Sequence, residues 1–96
     1  VAVLVSGVNW RRIAIDDGAA RAVLYELTQV TTADTMDVGA EFRAVKQAAM
    51  VGATVEGVAT AAVAGTVITI PAGLSGDAAY MLAYGDPNYN VSLGGP

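Results

Sequence analysis

The chain has 96 residues, a formal net charge of −4, and neither cysteine nor histidine. Disulfides, thiolate nucleophiles and thiolate metal sites are thereby excluded, and the commonest general base and metal ligand is missing. Five basic residues against nine acidic ones, with only Arg11 and Arg12 adjacent, form no stripe that would follow a phosphate backbone.

Residues 1–6 are apolar and β-prone, an N-terminal arm or edge strand that ends at Gly7. The run is short, no basic residue precedes it and no cleavage pattern follows, so it does not read as a signal peptide. A chain starting at Val is what removal of an initiator Met leaves, which fits synthesis in the cytoplasm. Residues 8–16 alternate imperfectly, as an edge strand or arm does, with Val8, Trp10, Arg12, Ala14 and Asp16 on one side. Asp16-Asp17-Gly18 is a turn signal.

Residues 21–30 form the cleanest strand, with Val23, Tyr25 and Leu27 on one face and Glu26 interrupting the other. A polar break at 31–35 follows, where Asp34 and Thr35 can bond the backbone and hold a turn. Met36 and Val38 then flank Asp37.

Residues 41–51 admit two readings. Val38, Phe42, Val45 and Ala49 lie on a helical stripe that Asp37 could cap and Gly52 could end. The strand reading puts Phe42, Ala44, Lys46 and Ala48 on one face. Period favours helix; context favours strand, because the other segments are short strands separated by turn signals. Strand is adopted, with a short helix as the alternative.

Residues 52–65 carry alternating Val, Ala and Thr up to a turn at Ala64-Gly65. Residues 66–70 are β-branched and stop at Pro71, which cannot donate a ladder hydrogen bond. After a glycine-bearing connector, residues 79–84 place Tyr80, Leu82 and Tyr84 on one face and Ala79, Met81 and Ala83 on the other. Residues 66–70 and 79–84 are expected to be neighbouring buried strands that close the core. Residues 50–74 are mostly apolar, but their glycines, threonines, Glu56 and Pro71 do not make a spanning helix. Residues 86–96 hold turn formers and no periodicity, and read as an extended tail with Tyr89, Val91 and Leu93 as anchors.

The expected fold is therefore all-β: a small β-sandwich or barrel, Ig-like or jelly-roll-like, of six to seven short strands with terminal arms. Residues 1–85 form the single domain, with 1–7 an arm or edge strand, and 86–96 form the tail. The apolar fraction of 54% is mostly Ala and Val, with one Trp, one Phe and four Tyr, so the core is thin or is completed by a neighbouring subunit. Charged residues are 15% of the chain, below the roughly 25% of ordinary globular proteins. Uncharged surface of that kind is often buried in assemblies.

Candidates for chemistry are few. Asp16 with Asp17 and Asp34 with Asp37 lack the ligand spacing of a Ca²⁺ loop and read as turn and cap residues. Ser6, Ser75 and Ser92 have no activating partner, Lys46 is the sole lysine, and residues 73–76 lack the ending of a phosphate loop. No enzyme, cofactor or metal site is expected. Trp10 beside Arg11 and Arg12 has the composition of a binding hot spot, against the plainer reading of a Trp covering one end of the core.

Val-Leu-Tyr-Glu-Leu-Thr at 23–28, Thr-Thr-Ala-Asp-Thr-Met-Asp-Val at 31–38, Phe-Arg-Ala-Val-Lys at 42–46, Gly-Thr-Val-Ile-Thr-Ile at 65–70 and Tyr-Met-Leu-Ala-Tyr-Gly at 80–85 together resemble the small all-β virion proteins of tailed bacteriophages that decorate or cement the capsid. The resemblance rests on strand and turn pattern, covers about two-thirds of the chain and carries over no functional residue. It implies many copies on the capsid exterior, made in the host cytoplasm. It also implies contacts with the major capsid protein and with further copies of the chain, a trimer at lattice junctions being one arrangement, and no nucleic-acid or membrane partner. The expected interface residues are Trp10, Arg11, Arg12, Ala79, Met81, Ala83, Tyr89, Val91 and Leu93. Here Tyr80, Leu82 and Tyr84 are assigned to the core, and the small face opposite them to a partner. A ligand- or carbohydrate-binding module with Trp10 and Tyr80 or Tyr84 as an aromatic platform is the alternative, as is another phage component from tail, neck or head fibre.

Overall fold

The computed structural model describes residues 3–17, 20–28, 30–54, 57–73 and 78–88. Its regular structure is entirely strand: β1 (Trp10–Asp17), β2 (Arg21–Leu27), β3 (Thr35–Asp37), β4 (Phe42–Gly52), β5 (Val58–Ala64), β6 (Val67–Thr69) and β7 (Ala79–Pro87). They form one antiparallel sheet in the order β1-β2-β7-β4-β5-β6-β3. The sheet curls into a half-barrel, so the architecture is the barrel form of the expected all-β class. Its concave face holds the core.

The N-terminal segment lies along the far edge of the sheet. Val3 pairs in parallel with Thr35 of β3, and the Leu4 N–H donates to the Thr35 carbonyl at 2.7 Å. Ser6 then bridges to Trp10 at the start of β1. This short segment therefore touches both ends of the strand order, and Leu4 is buried in the core.

β2 shows the cleanest link from sequence to packing. Val23, Tyr25 and Leu27 are fully buried, and the residues between them are half-buried. On β1 an extra residue at Ile13 interrupts the register, because Arg12 pairs with Tyr25 and Ala14 with Leu24. A bulge shifts which side later residues occupy, so Trp10 and Arg12 share the inner side while Ala14 and Asp16 lie on the outer one.

Residues 41–51 are strand, which replaces the helical alternative. The buried positions on β4 are Phe42, Val45, Ala48 and Met50, a spacing of three, three and two. Two register shifts against β7, between Phe42 and Ala44 and between Val45 and Gln47, produce it. Each bulge adds a residue between inward side chains, so a strand acquires a helix-like spacing. The inward set differs from the Phe42, Ala44, Lys46 and Ala48 expected of an unbroken strand.

Gly85 sits where these bulges cross. A Cβ there would collide with the Ala44 carbonyl oxygen and lie 2.8 Å from Val45 Cα and 2.9 Å from Lys46 N. All three neighbours are backbone and cannot swing aside.

Two further expectations are corrected. The strands at 66–70 and 79–84 are not neighbours: β6 pairs with β5 and β3, and β7 lies between β2 and β4. The β5–β6 hairpin turns at Gly65, whose φ of 64° suits glycine, and this carries β6 away from β7. The domain also continues past residue 85. β7 runs to Pro87, and Asn88 donates through its N–H to the Glu41 carbonyl at 3.1 Å and through Nδ2 to the Gly39 carbonyl at 2.8 Å.

Gly85→Ala is expected to destabilise the fold by about 3 kcal/mol or more, at the upper end of overpacking effects because backbone must move. Urea denaturation followed by Trp10 fluorescence measures it. Gly73→Ala is the comparison, since nothing lies within 4 Å of a Cβ there and its φ of 98° alone carries the cost.

Candidate functional site

Two of the three charged residues buried among the described residues, Arg21 and Glu41, gather with Tyr25 at one end of the half-barrel, Asp34 being the third. Arg21 opens β2 facing inward, and its guanidinium grips the Asp17 carboxylate with Nε at 2.6 Å and Nη2 at 3.1 Å. Its Nη1 donates to the Glu41 carbonyl at 2.8 Å. The Tyr25 hydroxyl donates to Glu41 Oε1, also at 2.8 Å. Arg21, Tyr25 and Glu41 are all buried. Burial holds the Tyr25 phenol far above its ordinary value, and the charge and hydrogen bond of Glu41 push it further the same way. A tyrosine so protonated is neither nucleophile nor base near neutrality. The cluster ties the end of β1, the start of β2, the turn before β4 and Asn88 into one unit.

Tyr25→Phe should lower stability by about 1–2 kcal/mol near neutral pH, through loss of a buried hydrogen bond to a carboxylate. The sign with pH follows from the raised phenol. In the unfolded chain the phenol ionises near the ordinary tyrosine value of about 10, whereas the folded chain keeps its proton. The stabilisation is therefore complete below pH 10 and falls above it by up to about 1.4 kcal/mol per pH unit. Urea titrations of both proteins should show the difference between wild type and variant narrowing from about pH 9 to about pH 11.

The open surface is the convex face of the sheet. On β7, Ala79, Met81 and Ala83 are buried, while Tyr80, Leu82 and Tyr84 are 43%, 53% and 42% exposed. This reverses the expected sides. Ala79, Met81 and Ala83 belong to the core and cannot meet a partner. Cross-strand register extends the exposed residues into rows. Leu24, Leu82, Ala49 and Thr60 form one; Glu26, Tyr80, Val51 and Val58 the next; Ala22, Tyr84 and Gln47 a third. Val51 and Val58 are exposed as well. The rows span four strands, about 14 Å between the outer two, and about 14 Å along β7. Single exposed apolar residues are ordinary, but a contiguous patch usually marks an interaction site.

The other expected interface residues separate. Trp10 is buried, edge-on to Tyr25 with ring centroids 5.1 Å apart. This is the core-covering role, and it keeps Trp10 from sharing an aromatic platform with Tyr80 or Tyr84 on the opposite face. Its indole N–H is buried and has no hydrogen-bond partner among the described residues. Arg11 and Arg12 are exposed on β1, and Arg11 Nε meets Glu26 Oε1 at 2.8 Å. Tyr89, Val91 and Leu93 lie outside the described residues.

A shallow hollow lined by Gly7, Val8, Trp10, Arg11, Glu26 and Thr28 has a volume of about 90 Å³, against roughly 300–1,000 Å³ for small-molecule sites. Asp37 accepts from the Gly39 N–H at 2.9 Å and the Thr66 hydroxyl at 2.8 Å, which makes it a turn-holding residue. Among the described residues no group of three or more Asp or Glu could hold a metal ion, and no helix is long and apolar enough to cross a membrane.

In comparisons with protein-family models, curated proteins and solved structures, the chain matches none.

Proposed function

We propose that this protein is a structural virion subunit: a decoration or cement protein that docks on the capsid lattice of a tailed bacteriophage through the convex face of its sheet. The observation that carries this reading is the uncovered apolar patch of Val51, Val58, Tyr80, Leu82 and Tyr84, with half-buried Leu24 beside them, on an antiparallel sheet. A convex, sparsely charged surface suits a protein partner. Aromatic side chains at its centre are the type that dominates interface energetics. A net charge of −4 weighs against nucleic acid. The strand and turn resemblance to capsid-decorating proteins supplies the class of partner. Repeated display on a lattice turns a modest single contact into firm retention, more so when subunits also touch one another. No catalytic step is assigned to any residue.

The reading makes Leu82 the centre of the contact. Leu82→Glu should leave the thermal midpoint within a few degrees of wild type, since surface changes alter stability by only about 0.5 kcal/mol. It should weaken binding to purified capsids at least about thirtyfold, the cost of about 2 kcal/mol at a central interface residue. Co-sedimentation with capsids measures this. Unchanged binding by a folded Leu82→Glu protein contradicts the reading.

A further inference from the structure

β1 is the end strand of the sheet and pairs only with β2 among the described residues, apart from the bridge from Ser6 to Trp10. Residues from Arg11 through Asp17 are all exposed. An edge strand of that length presents a row of backbone donors and acceptors to any strand that can approach.

The groups facing outward can be identified. The Asn9 carbonyl accepts from the Thr28 N–H at 2.9 Å, on the β2 side, whereas the Trp10 carbonyl accepts from the Gly7 N–H at 2.7 Å, on the other. Backbone direction alternates along a strand, so Arg12 turns its N–H and C=O to the free edge. The extra residue Ile13 shifts the alternation, and beyond it Ile15 and Asp17 face the free edge.

The side chains of this strand are ordered by charge: Arg11 and Arg12, then Ile13, Ala14 and Ile15, then Asp16 and Asp17. Basic at one end, apolar in the middle and acidic at the other, β1 is complementary to itself when reversed. We propose that β1 pairs antiparallel with β1 of a second copy about a two-fold axis between Ile13 and Ala14.

In that register Arg12 lies opposite Ile15 of the other copy, and both turn their backbone groups to the shared edge. Arg11 lies opposite Asp16, both on the convex side, and Arg12 is diagonal to Asp17 on the concave side. Each contact occurs twice, as a two-fold interface requires. Arg12 and Asp16 make no ion pair among the described residues, while Arg11 meets Glu26 and Asp17 meets Arg21 within the chain, so each contact between copies joins one free charge to one that is already paired. The segment at Ser6 and Gly7 on Trp10 ends the pairing, which runs from Arg11 to Asp16. A parallel pairing in register sets Arg against Arg and Asp against Asp, which is destabilising. Charge therefore selects the antiparallel partner as well as permitting it.

The axis is perpendicular to the sheet, so the two convex faces lie side by side on one surface. The pairing itself does not depend on what those faces meet.

Sedimentation equilibrium of the full chain at low salt tests this with two variants. One is Arg11→Asp with Arg12→Asp, which makes the edge acidic throughout; the other is Asp16→Arg, which makes it predominantly basic. Wild type is expected to be dimeric at about 100 µM and to weaken with salt. Each variant alone should dimerise at least about tenfold more weakly, and an equimolar mixture should pair at least about threefold more tightly than either variant alone, because the native arginines of one variant again meet Asp16 and Asp17 of the other at one end and the altered positions 11 and 16 attract at the other. Circular dichroism matching wild type shows that the variants are folded. A monomeric wild type, a variant that dimerises as well as wild type, or a mixture that pairs no more tightly than either variant alone overturns the proposal.

Discussion

The close approach of β4 to β7 at Gly85 is the constraint on which the rest of this sheet depends. The two β4 bulges flank the positions paired with Asp86 and Gly85, and a side chain at 85 has no room among the Ala44, Val45 and Lys46 backbones. Bulges bend and twist the strand that carries them, and here they lie near the middle of the strand order, between β7 and β4. The curl they support turns the inward residues of seven strands toward one another. Phe42, Val45, Ala48 and Met50 meet Tyr25, Leu27, Met81 and Ile68 in a single core. A thin set of mostly small apolar residues fills that space because one sheet, bent, supplies both walls.

The same geometry fixes where polar groups go. The turn before β4 carries Glu41 inward, where it receives the Tyr25 hydroxyl and, through its carbonyl, Arg21 and Asn88. Removing one partner from a buried polar cluster leaves another unsatisfied, which costs more than the intact bond contributes. The cluster thus couples the chain between Asn88 and β1 to the core, and leaves the convex face to present apolar side chains. One side of β7 is consumed by the fold, and the other is available.

How much of this was legible in the sequence depends on the residue. β2 was readable because Val23, Tyr25 and Leu27 alternate cleanly and Glu26 marks the outer side. β4 was ambiguous for a physical reason: its bulges space Phe42, Val45 and Ala48 three apart, and that is helical spacing. The side assignment on β7 could not be read from β7 alone, because both alternating sets are apolar and the larger one looks like core. The signal lay on another strand. Tyr80 pairs with the half-exposed Glu26, so Tyr80 must point outward, but that inference needs the pairing of β2 with β7, which sequence order hides. Arg21 and Glu41 escaped because charged residues are seldom buried unless paired, and although Asp17 is only four residues from Arg21, the contacts of Glu41 with Arg21 and Tyr25 span 20 and 16 residues. Trp10 needed its register with Leu27 before core could be told from interface.

The chain contains no cysteine, and this permits a direct test of the central claim that Leu82 faces a partner while Ala83 faces the core. The measurement is the rate of thiol labelling of single-cysteine proteins, Leu82→Cys and Ala83→Cys, free in solution and bound to capsids. The account predicts rapid labelling of the Leu82→Cys protein when free, strong protection when it is capsid-bound, and slow labelling of the folded Ala83→Cys protein in both states. Equal labelling of the Leu82→Cys protein free and bound, or fast labelling of folded Ala83→Cys in solution, contradicts it.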